Sequence, residues 1–194
     1  SVPESTVPGE VPQPTQPFPT RPAPFARQGI TEDDLINFTP ELRTEALDLI
    51  SKHRIGPIFT PPSIEGTIMM PGLIGGAGWG GGATDPVTKT FYVKAYNDPF
   101  LARVAAGEGD EGDADYLPNF DGYLALKNGL PLLKPPYGTL TAIDLDTGEH
   151  LWQRPFGDDS VVRSHPALTG LALPPMGGSP QTIQQTHPSH IGCA

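Results

Sequence analysis

Cysteine is almost absent from this chain of 194 residues, in which Cys193 stands alone. One cysteine excludes an internal disulfide framework and any zinc site built from several cysteines. Basic residues are also few, since 12 Lys and Arg stand against 22 Asp and Glu and the net charge is -10. Nucleic-acid binding requires clustered Lys and Arg to neutralise phosphates, so we exclude DNA and RNA as partners.

Long apolar runs are missing as well. No run approaches the ~20 apolar residues that span a bilayer, and the first residues lack the basic and then apolar pattern of a secretion signal. The chain begins with Ser1 and not with an initiator Met, which indicates a processed product or a piece of a longer reading frame.

Proline and glycine are abundant, with 25 and 23 residues, and long uninterrupted helices are therefore not expected. Residues 1–24 hold eight prolines. This density blocks both helix and central strand, so the stretch is either an extended, polyproline-like connector or plain disorder. We place it in a Pro-rich connector over residues 1–62.

Helix signals appear within this connector. Thr31 with Asp34 approximates a capping box before one short turn. The run Thr39-Pro40-Glu41 supplies an N-cap, a proline at the first helical position and an acid in the first turn. With Gly56-Pro57 as a stop signal, the spacing predicts a helix over about 40–54.

From residue 63 onward the pattern changes to short strands separated by turn residues. Residues 67–70 form one candidate, and Asp144 to Gly148 is a tight turn between two more. The stretch 83–93 partly repeats this hairpin, which is typical of a propeller or a sandwich. The strands predicted to form one four-stranded antiparallel sheet are 79–84, 90–95, 138–143 and 149–155.

An acidic insertion, residues 96–137, interrupts this sheet. Its acidic stretch could be imagined as a calcium loop, because calcium binds several carboxylate oxygens. With Asp110 as the first ligand, however, Gly112 and Asp121 stand where a second acid or amide and a bidentate Glu are needed. The spacing favours a solvated surface loop over a calcium site.

One hairpin unit and several shorter motifs share a family resemblance. The unit is Ala142-x-Asp144-x-x-Thr147-Gly148-x-x-x-Trp152, and the motifs lie at 14–18, 31–36, 38–43, 58–63, 66–67 and 78–81. The unit resembles the tryptophan-docking motif of quinoprotein dehydrogenases, and the others resemble the C-terminal half of the membrane glucose and quinate dehydrogenase group. The resemblance covers residues 1 to about 178.

This resemblance implies a mainly β fold. The expected structure is part of an eight-bladed β-propeller, with about one complete four-stranded blade, flanking pieces and one short helix near the N-terminus. Members of the group bind pyrroloquinoline quinone (PQQ) on the propeller axis, together with calcium in the full-length protein. In the docking motif the indole, here that of Trp152, packs between neighbouring blades.

The implied chemistry is the oxidation of a sugar or polyol. An Asp abstracts the hydroxyl proton while hydride passes to PQQ, which bound calcium polarises. Similarity implies that this Asp, its neighbouring Lys and the calcium ligands lie upstream of Ser1, so no catalytic residue is assigned here. Electrons are expected to reach membrane quinone on the periplasmic side of the inner membrane.

A possible wall of the cofactor pocket remains within this chain. The resemblance places Gly78, Trp79 and Gly80 at the start of a strand that faces the quinone. Related alcohol dehydrogenases carry an Asn where this chain has Gly78, which leaves backbone groups or Trp79 as the contacts. Trp79 as a plain core residue between blades is an equally good interpretation.

The end of the chain departs from the family. The blade region is expected over 63–178, whereas residues 179–194 form an atypical tail that a frameshift or a truncated reading frame would explain. His187, His190 and Cys193 have metal-ligand spacing, but a solvated tail is favoured because a fourth ligand and a supporting core are missing.

Two functions remain open at this stage. The first is a fragment of a PQQ-dependent dehydrogenase that oxidises glucose, quinate or a similar polyol and is inactive as an isolated chain. The alternative is a noncatalytic, propeller-derived binding or scaffold module, whose Gly-rich and acidic loops would present a partner surface.

Overall fold

Two antiparallel β-sheets and one helix of several turns form the framework of the protein. A computed structural model describes residues 1–73, 75–78, 80–107 and 114–178. The elements in chain order are α1 (Pro40–Ile50), β1 (Thr67–Met69), β2 (Gly82–Asp85), β3 (Thr90–Tyr96), β4 (Phe100–Ala106), β5 (Tyr116–Tyr123), β6 (Gly138–Asp144), β7 (His150–Pro155) and α2 (Ser160–Arg163), with 3-10 turns at Glu32–Asp34 and Pro166–Leu168. The protein is therefore mainly β, as predicted from the sequence.

The four strands predicted as one blade lie in a single antiparallel sheet of order β2-β3-β6-β7. Across this sheet Tyr92 of β3 pairs with Ala142 of β6, which pairs with Trp152 of β7. The first strand begins at Gly82, three residues later than predicted, and Trp79 lies outside the described residues. The sheet has the meander order of one propeller blade.

The two hairpins of this sheet turn in the same way, which confirms the repeat seen in the sequence. The Asp85 carboxylate accepts the backbone N–H of Val87 at 2.9 Å, and the Asp144 carboxylate accepts that of Asp146 at 2.7 Å. The left-handed residue that follows is Gly148 in one turn, with φ 72°, and Lys89 in the other, with φ 51°. Lysine therefore occupies the position where the second hairpin has glycine.

The predicted insertion contains two strands that the sequence analysis did not predict, and they belong to a second sheet. Strands β4 and β5 form an antiparallel hairpin, and β1 pairs with the other side of β4 to give the order β1-β4-β5. Residues 108–113 at the tip of the hairpin lie outside the described residues, so the candidate calcium loop is not described there.

Helix α1 begins where the sequence predicts and ends earlier. The Thr39 hydroxyl accepts the backbone N–H of Leu42 at 3.3 Å, as an N-cap does. The prediction that the helix continues to about residue 54 is wrong, because it ends at Ile50. The N–H of Arg54 donates to the carbonyl of Gly66 at 2.9 Å, and the carbonyl of Arg54 accepts the N–H of Ile68 at 2.8 Å. Pairing with the strand β1 region thus replaces the last predicted turn.

An apolar core of buried side chains lies around α1 and outside the strands of the four-stranded sheet. Leu42, Ala46 and Ile50 of α1 pack there with buried side chains from the segments 30–36, 68–70, 124–137 and 162–176. No described residue of β2, β3 or β7 belongs to this cluster. Strand β7 is an edge strand with exposed side chains at every position after His150.

The Pro-rich connector has no helix or strand before residue 32 in the part that the structure describes, as predicted. It nevertheless contacts the rest of the protein. The Phe18 ring packs edge to face on Phe59, with ring centroids 6.0 Å apart. The carbonyl of Phe25 accepts the side-chain amide of Gln153 at 2.9 Å, which places the connector against β7. No helix in the described part of the chain is long and apolar enough to cross a bilayer.

Candidate functional site

The glycine-rich segment 72–82, which has seven glycines, joins β1 to β2. Some of its glycines are required by packing within the chain. A Cβ at Gly72 would lie 2.6 Å from the carbonyl oxygen of Asp98, and a Cβ at Gly76 would lie 2.5 Å from the Cβ of Ala26. At these positions the backbone approaches its neighbours too closely for any side chain.

Gly78 and Gly80 are different, because the described part of the chain leaves space beside them. A Cβ at Gly78 would have its nearest neighbour, Cε2 of Tyr96, at 3.9 Å, and a Cβ at Gly80 would meet nothing within 4 Å. Between them, Trp79 lies outside the described residues. Packing against the described residues does not explain these two glycines, and that part of the chain leaves room for another molecule to approach the backbone.

Beside Gly78 lies a cluster of two rings and one cation. The backbone N–H of Tyr96 donates to the carbonyl of Gly76 at 2.8 Å, which fixes the end of β3 against the glycine-rich segment. The Lys94 ammonium lies 4.5 Å from the centroid of the Tyr96 ring and 5.2 Å from that of Phe156. Among the described residues no carboxylate forms an ion pair with Lys94, and the contacts described for its ammonium group are with these two ring faces.

Sequence reasoning missed Lys94 and Tyr96 as neighbours of the predicted wall. The alternation of strand β3 shows that the two residues share one face of the strand, since they are two positions apart. The pairing of Gly82 with Val93, however, is what brings the end of β3 beside Gly78, and the sequence did not reveal this register.

A shallow apolar groove of about 390 Å³ adjoins the same segment. Its walls come from the connector on one side, including Phe18 and Phe25, and from Pro71, Gly76 and Ala77 on the other. None of the described residues that line the groove is charged. The arrangement therefore offers an apolar surface, an open backbone at two glycines and one nearby cation.

No metal centre is found in the described part of the chain, where no three His, Cys, Asp or Glu side chains come together. The candidate ligands His187, His190 and Cys193 lie outside the described residues, as does Asp110. Residue Asp121 falls in β5, at the point between Phe120 and Gly122 where the pairing of β5 with β4 is irregular. Calcium coordination by the insertion therefore stays a sequence-based hypothesis that the spacing disfavours.

Comparison with known proteins places these features in a family. A family model described as the β-propeller domain of glucose, ethanol and alcohol dehydrogenases that use PQQ matches residues 1–187. Three relatives show the same similarity. A quinate/shikimate dehydrogenase (quinone) of Acinetobacter baylyi is 26% identical over 92% of this chain, and a probable quinate dehydrogenase (quinone) of Xanthomonas campestris pv. juglandis is 27% identical over 87% of it. A quinoprotein glucose dehydrogenase of Escherichia coli is 27% identical over 91% of this chain.

This chain spans about a quarter of the length of each of these relatives, at 25%, 24% and 25%. The family model nevertheless covers nearly all of the chain, from residue 1 to residue 187. The mainly β fold with its four-stranded antiparallel sheet agrees with the match. The chain therefore belongs to the β-propeller family of quinoprotein dehydrogenases, whose cofactor is PQQ.

Proposed function

We propose that this chain is the C-terminal portion of a PQQ-dependent dehydrogenase that oxidises a sugar or polyol such as glucose or quinate. The relatives are named for quinate, shikimate and glucose, and two of the names include quinone as the acceptor. The observation that carries the proposal is a family match over residues 1–187 in a chain whose glycine-rich segment is open at Gly78 and Gly80.

Within this function the chain supplies one wall of the cofactor pocket. Gly78 and Gly80 let a planar group approach their backbone, because no described side chain fills the space beside them. Lys94 holds a positive charge beside Tyr96, close to this wall, and PQQ carries several carboxylates that such a charge attracts. Trp79 is the aromatic candidate of the wall by resemblance. PQQ, when bound, supplies the acceptor for the hydride that leaves the alcohol carbon.

The remaining machinery belongs to the proposed longer protein. The abstracting Asp, its Lys and the calcium ligands lie upstream of Ser1, and the whole forms an eight-bladed propeller on the periplasmic side of the inner membrane that reduces membrane quinone. In this arrangement residues 1–62 are the inter-blade connector, 63–178 the blade region and 179–194 an atypical tail. With the abstracting base assigned to the rest of the longer protein, the isolated chain is expected to be inactive.

The first experiment compares Gly80→Val with Ala172→Val in the longer dehydrogenase that contains this chain. Both variants place a valine at an exposed position, since Ala172 is exposed like Gly80. We expect Gly80→Val to raise the dissociation constant of PQQ at least tenfold, which is about 1.4 kcal/mol, and Ala172→Val to leave it unchanged. Equal PQQ affinity of both variants, with both folded, would remove Gly80 from the cofactor wall.

The second experiment tests the isolated chain with glucose or quinate, added PQQ, calcium and an artificial electron acceptor. We expect no reduction of the acceptor above a protein-free blank, because the base that abstracts the hydroxyl proton is missing. Turnover in this assay would show that the chain contains its own base. It would contradict the proposal that the base belongs to another part of the longer protein.

A further inference from the structure

Asn128 and Gly129 form the one Asn-Gly pair of the sequence, in a turn between β5 and β6. The side-chain amide of an asparagine can be attacked by the backbone nitrogen of the next residue, and asparagine is a thermolabile residue. Glycine at that next position favours the attack, because it has no Cβ to obstruct the approach. The other asparagines of the chain are each followed by a residue with a side chain, and they are Asn37, Asn97 and Asn119. Asn128 is therefore the asparagine best suited to this reaction.

The pair lies where solvent reaches it. Both Asn128 and Gly129 are exposed. Gly129 has a φ of 86°, in the left-handed region, and a Cβ built on it would meet nothing within 4 Å. The described part of the chain thus leaves the Gly129 peptide open. Asn97, by contrast, is 5% exposed, and its side-chain amide donates to the carbonyl of Pro136 at 3.0 Å.

A side-chain hydrogen bond keeps the Asn128 amide folded toward the following peptide. Oδ1 of Asn128 accepts the backbone N–H of Leu130 at 3.1 Å. This contact is an Asx turn, and the ring that it closes contains both Cγ of Asn128 and the backbone nitrogen of Gly129. The same N–H stabilises the negative charge that develops on Oδ1 when a nucleophile attacks Cγ. One turn therefore contains the electrophile, the nucleophile and a donor for the oxyanion.

The reaction balances without an oxidant or a reductant. A bond forms between the backbone nitrogen of Gly129 and Cγ of Asn128, and the bond from Cγ to Nδ2 breaks. Nδ2 leaves as ammonia, with the proton that the Gly129 nitrogen gives up, and a cyclic imide remains. Water then opens the ring at one of its two carbonyl carbons. Opening at Cγ gives aspartate, and opening at the backbone carbonyl gives isoaspartate, in which the main chain runs through the side chain.

One backbone hydrogen bond opposes this reaction. The N–H of Gly129 donates to the carbonyl of Leu126 at 2.8 Å, and the attacking nitrogen must leave this bond. Local opening of an exposed turn requires less free energy than global unfolding. The reaction therefore proceeds from the folded protein, at a rate that depends on opening of the turn.

We propose that Asn128 is a site of spontaneous deamidation in the folded protein, through a cyclic imide with Gly129. Leu126 and Leu130 are 3% and 1% exposed, so both ends of the turn are anchored in the apolar core. Aspartate keeps the backbone and an acceptor for the N–H of Leu130. Isoaspartate adds one carbon atom to the main chain between the two anchors. It also displaces the carbonyl of residue 128, which accepts Nε2 of His165 at 3.1 Å, so this product loosens the turn.

The first test incubates the purified protein in warm, mildly alkaline buffer and then maps its peptides by mass spectrometry. We expect the peptide with Asn128 to convert to aspartate and isoaspartate about tenfold faster, or more, than those with Asn37, Asn97 or Asn119. A parallel sample in denaturant is the control. Conversion of Asn128 in the unfolded sample alone would overturn the proposal, because the turn would then protect this residue. Earlier conversion of another asparagine would overturn it as well.

Two substitutions test the assignment by the ammonia released during the same incubation. Asn128→Gln keeps an amide on a longer side chain, which disfavours ring closure. We expect it to abolish most of the release, whereas Asn119→Gln, at another exposed asparagine, leaves the release unchanged. Undiminished release from folded Asn128→Gln would contradict the assignment.

A last measurement compares the aged protein with Asn128→Asp, which has the same charge and an unaltered main chain. We expect faster amide hydrogen exchange at Gly129 and Leu130 in the isoaspartate form than in this variant. Equal exchange in the two would contradict the loosened turn.

Discussion

Replacing Trp152 with alanine measures how far the indole packs on its own sheet and how far on a neighbour. The Trp152 ring contacts Tyr92 of the same sheet, with centroids 6.0 Å apart, and the Arg154 guanidinium lies 5.6 Å from its centroid. The residue is 36% exposed. An aromatic pair contributes about 1 kcal/mol and an exposed cation–π contact about 0.5 kcal/mol. We therefore expect Trp152→Ala to lower the free energy of unfolding of this chain by about 1 to 2 kcal/mol.

In a complete propeller the expected loss is larger. The docking motif places the indole between blades, where truncation of a fully buried Trp costs about 3–5 kcal/mol. Denaturant titrations of this chain and of an intact propeller of the family, each with and without the substitution, compare the two losses. Leu151→Ala is the control, because Leu151 is the preceding residue of β7 and is 53% exposed. Equal losses for the indole in both proteins would mean that it packs within its own sheet, and the docking interpretation would be wrong.

Two further predictions concern the first strand of the same sheet. Gly82→Ala should destabilise the protein by about 1–3 kcal/mol in denaturant titrations, because the new Cβ would meet the Phe91 ring and lie 2.6 Å from the carbonyl oxygen of Tyr92. The control Gly80→Ala should change the free energy of unfolding by less than about 0.5 kcal/mol. Similar effects of the two substitutions would show that the glycine-rich segment adjusts to a side chain at either position. Hydrogen bonds from Thr88 and Val87 lower the pKa of Asp85 below its ordinary value, so its contribution to stability is full above the unfolded-state pKa of about 3.9 and is lost as the pH falls through the lower folded-state pKa. Asp85→Asn keeps a hydrogen-bond acceptor but cannot titrate. The free energy of unfolding of this variant, relative to that of the unmodified protein, should therefore rise below about pH 4. Parallel profiles of unfolding free energy against pH for the two proteins would refute this.

Local turn and cap chemistry made the four-stranded sheet and the start of α1 predictable. Asp85 and Asp144 mark their turns by side-chain acceptors that bind nearby backbone N–H groups, and Thr39 marks the helix start in the same way. These signals act within a few residues. They are therefore visible in a single sequence.

The parts that could not be predicted depend on distant partners. The end of α1 is determined by the pairing of Arg54 with Gly66 and Ile68. Strand β5 contains Pro118, Asp121 and Gly122, which are poor strand residues, and it forms because β4 pairs with it along its length. The placement of Lys94 beside the glycine-rich segment likewise follows from cross-strand register, which has no local signal.

The topology of the two sheets also has a consequence for the order in which the protein folds. The hairpins β2-β3 and β6-β7 join strands that are close in sequence, whereas β3 and β6 are sheet neighbours separated by residues 97–137. Pairing β3 with β6 must close this long loop, and non-local contacts of this kind slow folding. Early formation of the β4-β5 hairpin would shorten the effective loop, since it brings the two ends of the insertion closer together. The β4-β5 hairpin would then speed folding. Its loss would slow the pairing of hairpin β2-β3 with hairpin β6-β7 more than it would lower the stability of either hairpin.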